Sequence, residues 1–274
     1  MKRSVFEAIS LRWKILKVNT AFSFKESVAY TMNNWGGLAS TVVYMITYLV
    51  FLSAIFGRVK TIAGYTYSEI LFFTLVGQFN FYLSWIWSVT NISRMGESVK
   101  SGGLDLILTK PIPALWYVTF SKVNLFMLLF EMWPAMLPLL YLIVKNSDFV
   151  VHASGVFWGV IIFICGHIAV HCMQFVFGLA AFWVGEYKAM NSLSYQIAFF
   201  GDSVPIEGYP KWFLTLGVSV FPFLLHTALT TSFILGKTTD VRWVAWSVLV
   251  MVVFLIIKNK MWERALRAYS SASS

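Results

Sequence analysis

Charge is what this sequence has least of. Only 12% of its 274 residues are Asp, Glu, Lys or Arg, about half the share of a soluble domain and too little to coat a water-facing surface of that size. Acids are the scarcer sign, 12 against 21 bases. Cysteine is nearly absent. Cys165 and Cys172 both lie in one long apolar run without ligands at zinc spacing, so they read as small buried apolar side chains. A disulfide-stapled secreted domain is excluded. The opening MKRSVFEAISLRWKILK has no early apolar core and no small-residue cleavage site, so no secretory signal peptide is expected there. No G-x-x-x-x-G-K-[ST] loop, G-x-S-x-G, H-E-x-x-H or Cys/His cluster occurs. A catalytic site, a metal site and a cofactor are therefore not expected on this chain. There is no convincing internal repeat, and the only low-complexity piece is the terminal SSASS, expected to fray.

Apolar and aromatic residues are abundant instead, at 58% and 18%, with 12 Trp and 25 Phe and a mean hydropathy of +0.72. The aromatic excess suits rings placed at two lipid–water interfaces. Disorder and coiled coil are excluded, and an all-α polytopic membrane protein remains.

A spanning helix needs about 20 mostly apolar residues. Uncharged or nearly uncharged stretches of that kind run over about 33–56, 70–93, 123–144 (with Glu131 inside) and 154–184, which is long enough to tilt or to carry an extra turn. A last, shorter one covers 243–257. Between Glu186 and Arg242 hydropathy allows two readings. Either a short piece near 187–204 spans and 212–236 dips in and returns, or only the second piece spans.

With the N-terminus inside, inner segments hold fifteen of the 21 Lys and Arg, among them Lys14, Arg94, Lys110, Lys122, Lys258 and Arg267; outer segments hold six. This bias places both termini in the cytoplasm. Six acids leave the inner face at +9, where anionic membrane lipids are the natural partner and no nucleic acid is required. Residues 1–31 carry Trp13, Phe22 and Phe24 among scattered bases and read as an N-terminal cytosolic or interfacial helix.

The most informative loop is Arg94–Phe120, cytosolic by charge. Gly102 and Gly103 permit a tight positive-φ turn, Asp105 is placed to cap a short helix, and Lys110–Pro111 ends it. Leu104, Ile107, Leu108 and Ile112 form an apolar stripe, as in a docking knob below the membrane. The pattern Gly-Leu-Asp-x-x-Leu-x-Lys-Pro-Ile (Gly103–Ile112) resembles the loop of ABC-2 type permeases, the membrane subunits of one class of ABC transporters. The likeness is nearest to the bacterial subgroup whose ATPase is a separate chain. Gly208-Tyr-Pro-Lys-Trp-Phe, then Phe221-Pro-Phe and Leu235-Gly236, resembles the family's segment before the last span. Residues 228–231 read Ala-Leu-Thr-Thr where relatives often have a proline, a departure at the turn of that segment.

The resemblance implies six spans, with 187–204 as span five and 212–236 re-entrant from outside. It implies the bacterial cytoplasmic (inner) membrane, a second permease chain, identical or related, and ABC ATPase subunits that carry ATP and Mg. It also implies an ATPase-coupling role for Gly102, Gly103, Leu104, Asp105, Ile107, Leu108, Lys110 and Pro111, and export of a hydrophobic or amphiphilic cargo such as a drug, peptide or lipid. An ion-coupled secondary transporter or channel is the alternative. It should show paired intramembrane charges, and Glu131, His167 and His171 are the polar candidates inside the spans. The two histidines, four apart, share one helix face; Glu131, read as mid-membrane, is expected uncharged or paired, a histidine being one available partner. Phe79, Phe81, Trp85 and Trp87 are candidates to line an apolar cavity. After Cys165 and Cys172 are replaced, single cysteines at 110 and 267 are expected to react with an impermeant maleimide from inside only, and at 145 and 211 from outside only. Inside labelling at 211 would overturn the re-entrant reading.

Overall fold

The computed structural model describes residues 5–29, 31–146, 149–184 and 188–269. The serine-rich tail and the expected start of span five at 187 lie outside them. The described residues are helical and contain no strand, only an isolated bridge between Ile62 and Tyr65. In chain order the helices are α1 (Val5–Ala29), α2 (Thr31–Phe56), α3 (Tyr67–Lys100), α4 (Leu104–Leu108), α5 (Ala114–Phe120) and α6 (Met127–Asn146). They continue with α7 (Ala153–Val184, broken between residues 178 and 181), α8 (Lys188–Phe199), α9 (Lys211–Val220), α10 (Leu225–Ile234) and α11 (Arg242–Ala268).

Five of these, α2, α3, α6, α7 and α11, are long and apolar enough to cross a membrane; α9 and α10 would make a sixth if the bent pair counted as one span. Span five is shorter than expected. The 12 residues of α8 extend through a 3-10 turn at Phe200–Asp202, and 12 residues rise only about 18 Å against a core of ~30 Å. The expected segment at 212–236 is a helix pair bent by 103°. Pro222 sits at the bend, without an N–H to continue a helix.

Other boundaries shift for local reasons. A capping box at Thr66 and Glu69 starts α3 three residues early, and α3 continues to Lys100, about 50 Å in all, so its last turns leave the bilayer. At the start of α6, the Asn124 side chain accepts the backbone N–H of Met127 at 3.1 Å, and the first turn, Met127–Glu131, is π-helical, so the helix starts slightly after the apolar stretch does. The last span runs on to Ala268, and Lys258, counted above as a loop charge, is buried within it.

The centre of the bundle is α7, the most buried span, with α11, α8 and α10 packed along it; α2 is the least buried. The bent pair reaches this centre because two glycines let backbone meet backbone. A Cβ on Gly166 of α7 would stand 2.6 Å from the backbone nitrogen of His226, and one on Gly201 would overlap the Phe223 carbonyl. Far from this contact, the Lys237 ammonium pairs with Glu69 at 2.7 Å and ties the end of the pair to the start of α3. Close by, Tyr65 is fully buried, and burial together with the Glu207 carboxylate raises its pKa. Gly166→Ala or Gly201→Ala is expected to cost about 1–3 kcal/mol through overpacking, read as a lower melting temperature of the purified protein. Gly36→Ala, with nothing within 4 Å of its Cβ position, is expected to leave it unchanged.

Candidate functional site

A widened turn in α3, a π-helical stretch at Ser84–Val89, frees carbonyls from the helix ladder. The Ile86 carbonyl accepts the Asn124 N–H at 2.7 Å, and the Trp87 carbonyl accepts the Asn91 amide at 2.7 Å. The same Asn91 amide reaches the Lys122 carbonyl at 2.7 Å, so the turn fastens α3 to the entry of α6. Lys122 is itself desolvated and near Arg94, and both effects lower its pKa.

Below and beside this turn, α3 and α7 share two directed hydrogen-bond chains. The Trp87 indole can only donate, so at 3.2 Å it fixes His167 Nε2 as the acceptor. The proton then lies on Nδ1, which donates to Asn80 Oδ1 at 3.0 Å. The Asn80 amide in turn donates to the Asp202 carboxylate at 3.3 and 3.5 Å. In the second chain the donor-only Lys258 ammonium, 3.0 Å from Thr119 Oγ1, approaches His171 Nε2 at 3.2 Å. His171 Nδ1 then donates to Ser88 Oγ at 2.6 Å, whose hydroxyl faces Gln174 Oε1 at 3.4 Å. Both histidines are thereby neutral and of one tautomer. The Lys258 ammonium also lies 4.4 Å from the centre of the Phe175 ring, a cation–π contact in a dry setting.

The first chain ends at a cavity of about 370 Å³ between α3, α7 and α8, within the size range of small-molecule sites. Asn80, Gln174 and Asp202 give it polar points. Phe81, Trp85 and Tyr195 give it an aromatic wall, with ring centroids 6.0 Å (Phe81–Trp85) and 6.1 Å (Trp85–Tyr195) apart. Phe81, Trp85 and Phe199 are exposed on the flank of the bundle, so the cavity opens sideways.

The loop after α3 folds against the basic end of the bundle. Gly102 takes the positive φ of 75°; Gly103 does not, and it occupies the N-cap position of α4 without a side-chain bond. The N-cap position thus falls to Gly103 and not to Asp105. Asp105 lies in the first turn of α4 beside Tyr269, whose pKa rises through burial and through that carboxylate. The expected apolar stripe is divided. Leu104 is fully buried and Ile107 half-buried in a cluster with Val118, Phe175 and Trp262, whereas Leu108 is exposed. Lys110 lies over the Tyr117 ring at 5.0 Å, and Pro111 is exposed beyond the helix end. The outward residue that hydropathy missed is Leu106, 72% exposed.

The three intramembrane candidates do not converge. His167 and His171 enter the chains above. Glu131, half-buried, stands instead 3.5 Å from the Cβ position of Gly37 on α2, and it pairs with neither histidine. It closes the π-helical turn Met127–Glu131 that opens α6. Of the four aromatics of span two, Phe81 and Trp85 line the cavity, while Phe79 packs on Phe163 and Trp87 stacks on Phe120. Sequence reading missed Asn80, Asp202 and Lys258. Lys258 carried a usable signal, since it falls on the stripe Ser247, Val250, Phe254, Trp262 that α11 buries.

Among the described residues no group of three His, Cys, Asp or Glu is placed to hold a metal. A helical bundle with polar chains buried inside it, a lateral cavity and short helices under one end has the build of a membrane-embedded transport subunit. Residues 42–273 match the family described as ABC-2 family transporter protein, and the chain belongs to that family, whose members are membrane subunits without a catalytic site of their own. No curated protein and no solved structure matches the chain. Asn80→Leu strands both the His167 N–H and Asp202 and is expected to cost about 1–3 kcal/mol. Glu131→Gln, at a half-exposed site, is expected to stay within about 0.5 kcal/mol. Thermal unfolding of the two variants in the same detergent checks the contrast.

Proposed function

We propose that this chain is the permease subunit of an ATP-driven exporter in a bacterial cytoplasmic membrane, with both termini in the cytoplasm and a hydrophobic or amphiphilic cargo. Two permease chains would enclose the pathway, and a separate ABC ATPase would bind ATP and Mg. The observation that carries this reading is the construction of α4. Leu104 and Ile107 anchor it to the ends of α3, α5 and α11, while Leu106 and Leu108 face outward. A short helix held rigidly on one side and apolar on the other suits a contact that transmits force: closure of the docked ATPase would push on α4 and thereby bias the spans between two arrangements. The exposed Phe6, Ile9 and Trp13 of α1 support an interfacial position beside it. The long, little-buried flank of α2 leaves room for a second chain.

The alternative, an ion-coupled transporter or channel, draws support from the buried Lys258, His167, His171 and Asp202, since intramembrane titratable groups mark ion pathways by default. ATP dependence separates the two. With the ATPase co-expressed and the complex reconstituted in vesicles, export should require ATP. Leu106→Asp should abolish ATPase co-purification without lowering permease yield, because its side chain touches little of the permease itself. Export driven by an ion gradient without ATP, or unchanged ATPase binding in Leu106→Asp, would defeat this reading.

A further inference from the structure

The wall of the lateral cavity carries a carboxylate that nothing nearby neutralises. Asp202 is 13% exposed, and that exposure faces the cavity. It lies opposite Asn80, about 20 Å along α3 from Tyr67, beside a helix long and apolar enough to cross a membrane. A bare Asp inside a membrane is costly and calls for a partner. Its neighbours are nevertheless arranged for an anion. The chain Trp87, His167, Asn80 passes donors toward it, and Asn80 offers its amide to both carboxylate oxygens. The Thr227 side chain adds a further hydrogen bond to the same carboxylate.

The one basic group at hand is His226, with Nδ1 3.6 Å from Asp202 Oδ1. It is poorly placed to serve as an imidazolium. Its Nδ1 also faces Thr227 Oγ1 at 3.1 Å, and its Nε2 is buried without a partner, so a second N–H there would be stranded. No lysine or arginine pairs with Asp202 among the described residues. Among the described residues that line the cavity, Asp202 is the only charged side chain. The remaining wall points the same way. Phe81, Trp85 and Tyr195 put three aromatic rings beside it, whose quadrupoles can attract a cation, and the mouth opens on the flank of the bundle.

We propose that this cavity binds an amphiphilic organic cation, its positive centre on Asp202 and its apolar body against Phe81, Trp85 and Tyr195. This deepens the transport reading and rests on it for the term cargo, but the binding itself requires neither ATP nor a partner. A permanently charged ligand fits best, because a carboxylate in an apolar wall can cancel a charge that cannot be shed by losing a proton.

The test uses the full chain in lipid nanodiscs without any ATPase, with empty nanodiscs subtracted. The probes are tetraphenylphosphonium and its anionic counterpart of the same shape, tetraphenylborate. The wild-type chain should bind the cation with saturation and at least about tenfold more tightly than the anion; a tenfold ratio corresponds to about 1.4 kcal/mol. Asp202→Asn keeps the shape of the wall and should remove that preference. Trp85→Ala should weaken cation binding while leaving the sign of the preference intact. Equal binding of both probes by the wild type overturns the proposal without recourse to any variant, as does undiminished cation binding in Asp202→Asn. Selective cation binding by a chain that captures no ATPase would leave this inference standing and defeat the exporter. ATP-dependent export of a neutral or anionic cargo, unaffected by Asp202→Asn, would do the reverse.

Discussion

A polar group placed inside a bilayer has no water to fall back on, so its partner must come from the protein. The bundle is organised around that requirement. α7 contributes His167, His171 and Gln174 on one face, and α3 meets them with Asn80, Trp87 and Ser88. α11 supplies Lys258, and the segment after α8 supplies Asp202. Because Lys258 and the Trp87 indole can only donate, the direction of every bond that follows is settled. Helices joined in this way cannot slide past each other by a turn without stranding several groups at once.

The close approach of the bent pair is part of the same arrangement. Asp202 reaches Asn80 because the 3-10 turn that carries it lies directly on the backbone near Phe223, and Gly201 makes that contact possible. Gly166 does the same from the side of α7. The position of Asp202 in the cavity wall is thus set by a bent helix pair whose close approach depends on two missing side chains, and its carboxylate is held by donors relayed from α7.

The membrane class, the five long apolar helices and the short helix after α3 were legible from runs of apolar residues and from the Gly-Gly turn. Those signals are local, and they identify an element without saying which of its faces is covered. The stripe Leu104, Ile107, Leu108 shows the difference. Its spacing is correct for one face of a helix, yet only Leu104 and Ile107 turn inward, while Leu108 is exposed and Leu106, off the stripe, faces out as well. Glu131 and Lys258 depart from expectation in different ways. Glu131 has a histidine within reach by sequence alone, yet its side chain stands beside Gly37 of α2. Lys258 reads as solvated because a lysine next to a span end usually is. Asp202 sits in a stretch that reads as a polar break, and its burial depends on contacts with α3 and α10 that sequence spacing does not encode.

The widened turn in α3 divides that span into two helical segments with different phase. One residue more than a regular helix needs is accommodated at Ser84–Val89. Upstream of it Asn80 meets α7, and downstream Asn91, Ile92 and Met95 pack at the basic end. Deleting one residue there would let an unbroken α-helix form with Asn80 and Asn91 near their present faces, whereas the same deletion in the regular helix on either side would rotate one half by about 100° relative to the other. The Ile86 carbonyl would then return to the helix ladder and give up the Asn124 N–H. The turn is therefore a fastening: one surplus residue exchanges a bond within α3 for a bond to the entry of α6.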